Sequence, residues 1–191
     1  METFLISSVV VALSELGDKT QMLALLLAAK YRRPAPIVLA LIVATLLSQA
    51  LGGGVAMLLG MFMKPDALRW VLCVSFVGLA GWSLSSDPYE AGEDKPLRFG
   101  VFGTALVAFF LAEFGGKAQV TTLVMAAQSK AVVSVVAGSS LGVLIATLPA
   151  ILLGDRSSGR LPVEAAHWVA AGVFAVLAYF AFFGGGARFG F

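Results

Sequence analysis

Six long apolar segments, separated by short charged or proline-containing breaks, constrain this chain more than any other feature. They run from Phe4 to Ala29, Ile37 to Phe62, Ala67 to Leu84, Phe99 to Ala127, Val132 to Leu153, and Val163 to Phe183. About 20 apolar residues cross a bilayer core, so each segment is read as a membrane span. Composition agrees: 59% of residues are hydrophobic and 13% are charged, against roughly 25% charged in soluble domains. The expected fold is therefore an all-α integral membrane protein of six transmembrane helices. The net charge of +2 is too small to argue for nucleic acid, and the expected surroundings are the lipid bilayer. The first segment lacks a basic leader and a small-residue cleavage site, so it is read as a span and not as a removable signal.

The only long linker, at 87–98, is charged and divides the chain into residues 1–86 and 99–191, and the two parts resemble each other. SELGDKTQMLALLLAAK, starting at Ser14, aligns with AEFGGKAQVTTLVMAAQ, starting at Ala112, at an offset of 98. Glu15, Gly17, Lys19 and Gln21 meet Glu113, Gly115, Lys117 and Gln119; further on, Ala67, Trp70, Val71 and Phe76 meet Ala165, Trp168, Val169 and Phe174. Three spans per repeat is an odd number, so the second repeat enters the membrane from the other face. This gives two inverted three-helix repeats, a plan common among secondary transporters. Seven basic loop residues (Lys30, Arg32, Arg33, Lys95, Arg98, Arg156, Arg160) fall on one side, and four (Lys64, Arg69, Lys130, Arg188) on the other. The richer side is expected to be cytoplasmic, with 87–98 a cytoplasmic linker and both termini periplasmic.

Glu15, Asp18 and Lys19 lie in the first span, Glu113 and Lys117 in the fourth. One charge at a bilayer centre costs roughly 2.5–3.5 kcal/mol on insertion scales. These groups must therefore face inward, pair, or bind something. Three- and four-residue steps relate Glu15, Asp18, Lys19 and Met22, and likewise Glu113, Gly116 and Lys117, which predicts a shared face in each span. The carboxylates of Glu15, Asp18 and Glu113, with the amide oxygens of Gln21 and Gln119, form a set suited to Mn²⁺, Ca²⁺ or Mg²⁺. Gly17, Gly115 and Gly116 permit a kink or unwound turn whose carbonyls could add to it. Lys19 and Lys117 would balance charge in the empty site, and Thr20, Met22 and Gln49 are further cavity-lining candidates. The same carboxylates can carry protons, so metal and proton would compete for one set of oxygens.

Other readings stay open. Glu15–Lys19 and Glu113–Lys117 could be ion pairs that only stabilise a bundle. A small organic cation or an amino acid could be the exported substrate. An intramembrane enzyme would need a Ser/His, paired-Asp or zinc constellation; the lone His167 and lone Cys73 do not supply one, so no enzyme activity and no cofactor are expected.

The stretch Glu15-Leu-Gly-Asp-Lys-Thr20, with its degenerate copy Glu113-Phe-Gly-Gly-Lys-Ala118, resembles the paired E-x-G-D-K/R-T/S signature of the GDT1 family. These are six-span divalent cation/proton exchangers, among them Golgi manganese/calcium transporters and bacterial manganese exporters. The resemblance implies Glu15, Asp18, Lys19, Thr20 and Glu113 as site residues, with Lys117 as the second basic position. It further implies Mn²⁺ export across the bacterial inner membrane by proton antiport, with metal ion and protons as partners and self-association allowed. The copy departs from the signature at Gly116, where Asp is expected, and at Ala118, where Ser or Thr is expected.

Overall fold

The computed structural model describes residues 1–63, 65–84, 100–153, 168, 171–172, 174–179 and 182. The linker at 87–98, His167 and most of the segment from Val163 to Phe183 lie outside the described residues. All regular structure among the described residues is helical: α1 (Glu2–Glu15), α2 (Lys19–Tyr31), α3 (Pro34–Phe62), α4 (Pro65–Ser83), α5 (Gly100–Glu113), α6 (Lys117–Gln128) and α7 (Val132–Leu153).

Two expected spans are broken. The first divides into α1 and α2 at Leu16-Gly17-Asp18, and the fourth into α5 and α6 at Phe114-Gly115-Gly116. Gly17 and Gly115 have φ of 79° and 70°, a left-handed conformation open to glycine at little cost. The bend between α5 and α6 is 60°. The half-helices hold 14, 13, 14 and 12 residues, so at about 1.5 Å per residue none alone reaches across a ~30 Å core. By length and composition α3 and the Val132–Leu152 part of α7 are sized to cross a membrane, and the bent α5–α6 pair counts as a third candidate. The charged motifs interrupt two of the six apolar segments, and the sixth lies mostly outside the described residues.

Helices from the two parts of the chain pack against one another. α1 lies along α7 and α5 along α3, while α2 also meets α7 and α6 also meets α3. Small residues allow the closest approach. A Cβ on Gly138 would collide with the Phe4 carbonyl and the Ser7 hydroxyl, and one on Gly142 would stand 2.5 Å from the Ser8 carbonyl oxygen. Gly138 and Gly142 are four residues apart on one face of α7, a small-xxx-small spacing that lets backbones touch. Phe76 of α4 stacks on Phe174 with ring centroids 6.5 Å apart, and Cys73 donates weakly to the Ala178 carbonyl at 3.8 Å.

Polar side chains share the interior with the apolar core, and large apolar ones cover the outside. Ser7, Ser14, Thr45, Ser48, Gln49, Thr121, Ser139 and Thr147 are buried, whereas Leu5, Val9, Leu39, Leu46, Leu47, Val74 and Ile145 face outward. An apolar exterior of this extent suits a lipid solvent.

Candidate ion site at the broken helices

The helix breaks bring the motif residues to helix ends, where electrostatics matter most. Glu15 and Glu113 are the last residues of α1 and α5; Lys19 and Lys117 are the first of α2 and α6. A helix C-terminus carries partial negative charge and an N-terminus partial positive charge. Acid at the former and base at the latter is the reverse of the stabilising arrangement. The misfit, about 0.3–1 kcal/mol for each group, occurs at both breaks. It concentrates negative potential where α1 and α5 end, as a cation site requires.

Glu15, Asp18, Glu113 and Lys117 are each at least 96% buried. Lys117 Nζ lies 3.7 Å from Asp18 Oδ1, joining one motif to the other, and stands 5.9 Å from the centre of the Trp82 ring. Glu15 feels the charges of Asp18, Glu113, Lys117 and Lys19. Thr45 on α3 donates its hydroxyl to Glu113 Oε1 at 2.9 Å. Asp18 opens α2 without capping it, so its carboxylate serves the pair with Lys117 and not the helix. The sequence predicted a shared face within each helix; the structure breaks each helix between its glutamate and its lysine and joins Lys117 to the opposite motif.

The two motif glutamines make matching bonds. Gln21 Oε1 accepts from Gly17 N–H at 2.9 Å, and Gln21 Nε2 donates to the Ala146 carbonyl at 2.9 Å. Gln119 Oε1 accepts from Gly115 N–H at 2.6 Å, and Gln119 Nε2 donates to the Ser48 carbonyl at 3.0 Å. Ser48 and Ala146 are themselves 98 positions apart, so one pair of bonds maps onto the other. Both ends of each amide are engaged, and flipping either would set donor against donor. These side chains brace the breaks, a role their expected place among the ion ligands did not foresee; glutamine four residues after a break-forming glycine was the available signal.

Thr20 is buried and Gly116 is buried, whereas Gly17 and Lys19 are half-buried and Gly115 is exposed. Met22 is 49% exposed between buried Gln21 and Leu23, so it stands apart from the buried cluster it was expected to line. Gln49 is wholly buried. Among the described residues, no three His, Cys, Asp or Glu side chains stand close enough to hold a metal ion together. Buried polar atoms without a hydrogen-bond partner nonetheless gather on the motif residues and on α3 and α7: Glu15 Oε2, Glu113 Oε2, Thr20 Oγ1, both amide atoms of Gln49, and the hydroxyls of Ser139 and Thr147. Each such atom calls for an explanation other than packing.

Comparison with known proteins agrees with this chemistry. A family model described as "Divalent cation/proton antiporter GDT1" matches residues 3–91 and again residues 101–188. A Vibrio cholerae serotype O1 protein named "Putative manganese exporter" is 41% identical over 179 residues, covering 93% of this chain and 89% of that protein. Two rice proteins, GDT1-like protein 3 and GDT1-like protein 4 (Oryza sativa subsp. indica), are 31% and 30% identical over 79% and 84% of this chain. This chain spans 63% and 66% of their lengths. No solved structure matches.

Proposed function

We propose, from the premise that this chain belongs to the GDT1 family of divalent cation/proton antiporters, that it exports Mn²⁺ from a bacterial cell against an inward flow of protons. The family is one of transporters, not enzymes. One observation carries the reading: two interrupted helices, each ending its first half on a buried glutamate, are joined by the contact of Lys117 with Asp18. The manganese preference rests on the name of the Vibrio relative and on an oxygen-rich, His- and Cys-poor residue set, which suits hard divalent ions.

The mechanism follows from charge. Glu15, Asp18 and Glu113 against Lys19 and Lys117 leave a formal charge of −1. In the conformation described, the Lys117 ammonium occupies the neighbourhood of Asp18 as a tethered cation. An arriving divalent ion displaces it, drawing the three carboxylates together with carbonyls released at the two breaks. Protons arriving on the same carboxylates on the opposite membrane face cancel that attraction and release the metal. Competition for one set of oxygens is enough to couple the two fluxes.

The architecture we propose is six spans arranged as inverted repeats, residues 1–86 and 99–191 joined by the linker 87–98, in the bacterial inner membrane with both termini periplasmic. The matched glutamine bonds support it, as does the stacking of Phe76 on Phe174, since equivalent residues can touch only at a two-fold axis. So do the two family-model matches, which start 98 positions apart. α1 runs alongside α7 in the same direction, because Gly138 meets Phe4 and Gly142 meets Ser8 and Ala12; a first and a fifth span must be parallel.

The test is Mn²⁺ movement in proteoliposomes. Glu15→Gln and Glu113→Gln should each abolish it while the protein still elutes as a folded species in detergent. Unchanged manganese flux in both variants would remove these residues from the site.

A further inference from the structure

The two motifs are unequal, and the helices beside them differ at equivalent positions. α7 lies along α1 and α2, which carry the complete motif, and α3 lies along α5 and α6, which carry the incomplete one. At positions 98 apart, α7 presents Val143 and Thr147, and α3 presents Thr45 and Gln49. At these two positions α3 offers two side-chain oxygens to α7's one, beside the motif that lacks a carboxylate at Gly116 and a hydroxyl at Ala118, whereas α7 carries Ser139 and Ser140 where α3 has Leu41 and Ile42. Thr45 already reaches Glu113, donating to Oε1 at 2.9 Å. Gln49 follows one turn later on the same buried face, and side chains four residues apart on a helix are neighbours.

Gln49 differs from the other two glutamines in what it bonds. It is 0% exposed, and neither its amide oxygen nor its amide nitrogen has a hydrogen-bond partner, whereas Gln21 and Gln119 have both ends engaged. An amide buried with nothing to bond carries its full desolvation penalty, which a leucine of similar volume would avoid. Such a group is retained at a cost to stability, and Glu113, whose Oε1 Thr45 bonds, has its Oε2 likewise without a partner.

We infer that Gln49 is a neutral oxygen ligand for the transported divalent cation, supplied by α3 in place of the oxygens missing at Gly116 and Ala118. The inference rests on the proposed function and adds a residue outside both motifs to its site. A carboxamide oxygen suits a hard cation that needs six or more oxygens. It adds coordination without adding charge, so the exchange of metal for protons stays with Glu15, Asp18 and Glu113.

The experiment is a Mn²⁺ titration of the full-length protein in detergent, following the paramagnetic resonance signal of free Mn²⁺, with thermal unfolding measured on the same samples. Gln49→Leu should weaken binding roughly ten- to a hundredfold while the unfolding midpoint stays the same or rises. Gln49→Glu, which keeps an oxygen at that place, should bind at least as tightly as the wild type. Wild-type affinity in Gln49→Leu overturns the inference. So does a fallen midpoint or a failure to fold, either of which makes Gln49 a structural amide, and so does lost binding in Gln49→Glu. Glu113→Gln separates the two levels of the argument: if it alone loses binding, the site stands and Gln49 drops out; if it also binds like the wild type, the site falls as well.

Discussion

At the scale of single residues, the site is recognisable because it breaks the rules that stabilise helices. Glutamates end α1 and α5, and lysines begin α2 and α6, against the dipole of every helix concerned. That these charges turn inward was legible in the sequence, since charges inside apolar runs have few explanations other than function, and Glu15, Glu113 and Lys117 are buried. The bracing role of Gln21 and Gln119 and the exposure of Met22 were not, because hydrogen-bond partners from another helix and the exposure of one side chain leave no mark on a single segment. Gly116 offers a direct test of the missing carboxylate. Its backbone, at φ −71° and ψ 169°, matches that of Asp18 at −77° and 163°, so an aspartate is allowed there. The added Cβ would stand 3.2 Å from the Glu113 carbonyl oxygen, a tight but local contact. Gly116→Asp is expected to fold and to bind Mn²⁺ more tightly than the wild type, with more protons released per metal bound. Calorimetric titration in two buffers of different ionisation enthalpy checks both.

At the scale of elements, glycine explains both where helices stop and where they meet. The breaks at Gly17 and Gly115 could be anticipated from sequence as kinks, but the separation into distinct half-helices follows from their left-handed backbone. Which helix packs on which could not be anticipated, because apolar periodicity gives an inner face without saying what lies opposite. The α1–α7 contact depends on the absence of a side chain at Gly142. Gly142→Ala should cost about 1–3 kcal/mol by overpacking, read as a lower unfolding midpoint in detergent; an unchanged midpoint would mean that α1 can shift away freely. Gln21→Leu leaves the Ala146 carbonyl without the donor it has. That should cost about 1–3 kcal/mol, and the same assay will detect it. Both substitutions lie outside the carboxylate set, so Mn²⁺ affinity per folded molecule is expected to change less than stability.

At the scale of the whole molecule, the offset of 98 was the most informative feature of the sequence, since it paired Gln21 with Gln119 and Phe76 with Phe174, which make matching bonds and stack on each other, although it said nothing of the bonds themselves. The number of uninterrupted helices was less legible, because an apolar segment reads the same whether it is one rod or two half-rods around a charged turn. Antiport predicts that direction follows the proton gradient. Proteoliposomes loaded with Mn²⁺ should release it when the outside is made acidic and retain it when a protonophore collapses the gradient; release that ignores the protonophore would remove the coupling. The pairing of α1 with α7 has a further consequence, for biogenesis. During synthesis α1 is finished while residues up to 132 and beyond are still unmade, a wait of about 6–24 s at ~5–20 residues per second. Through that interval Gln21, which braces the turn at 16–18, has no Ala146 carbonyl to bond, and Asp18 has no Lys117 to face. The nascent first span must therefore be sheltered by the insertion machinery or linger at the membrane surface, and it becomes secure only when the second half of the chain arrives.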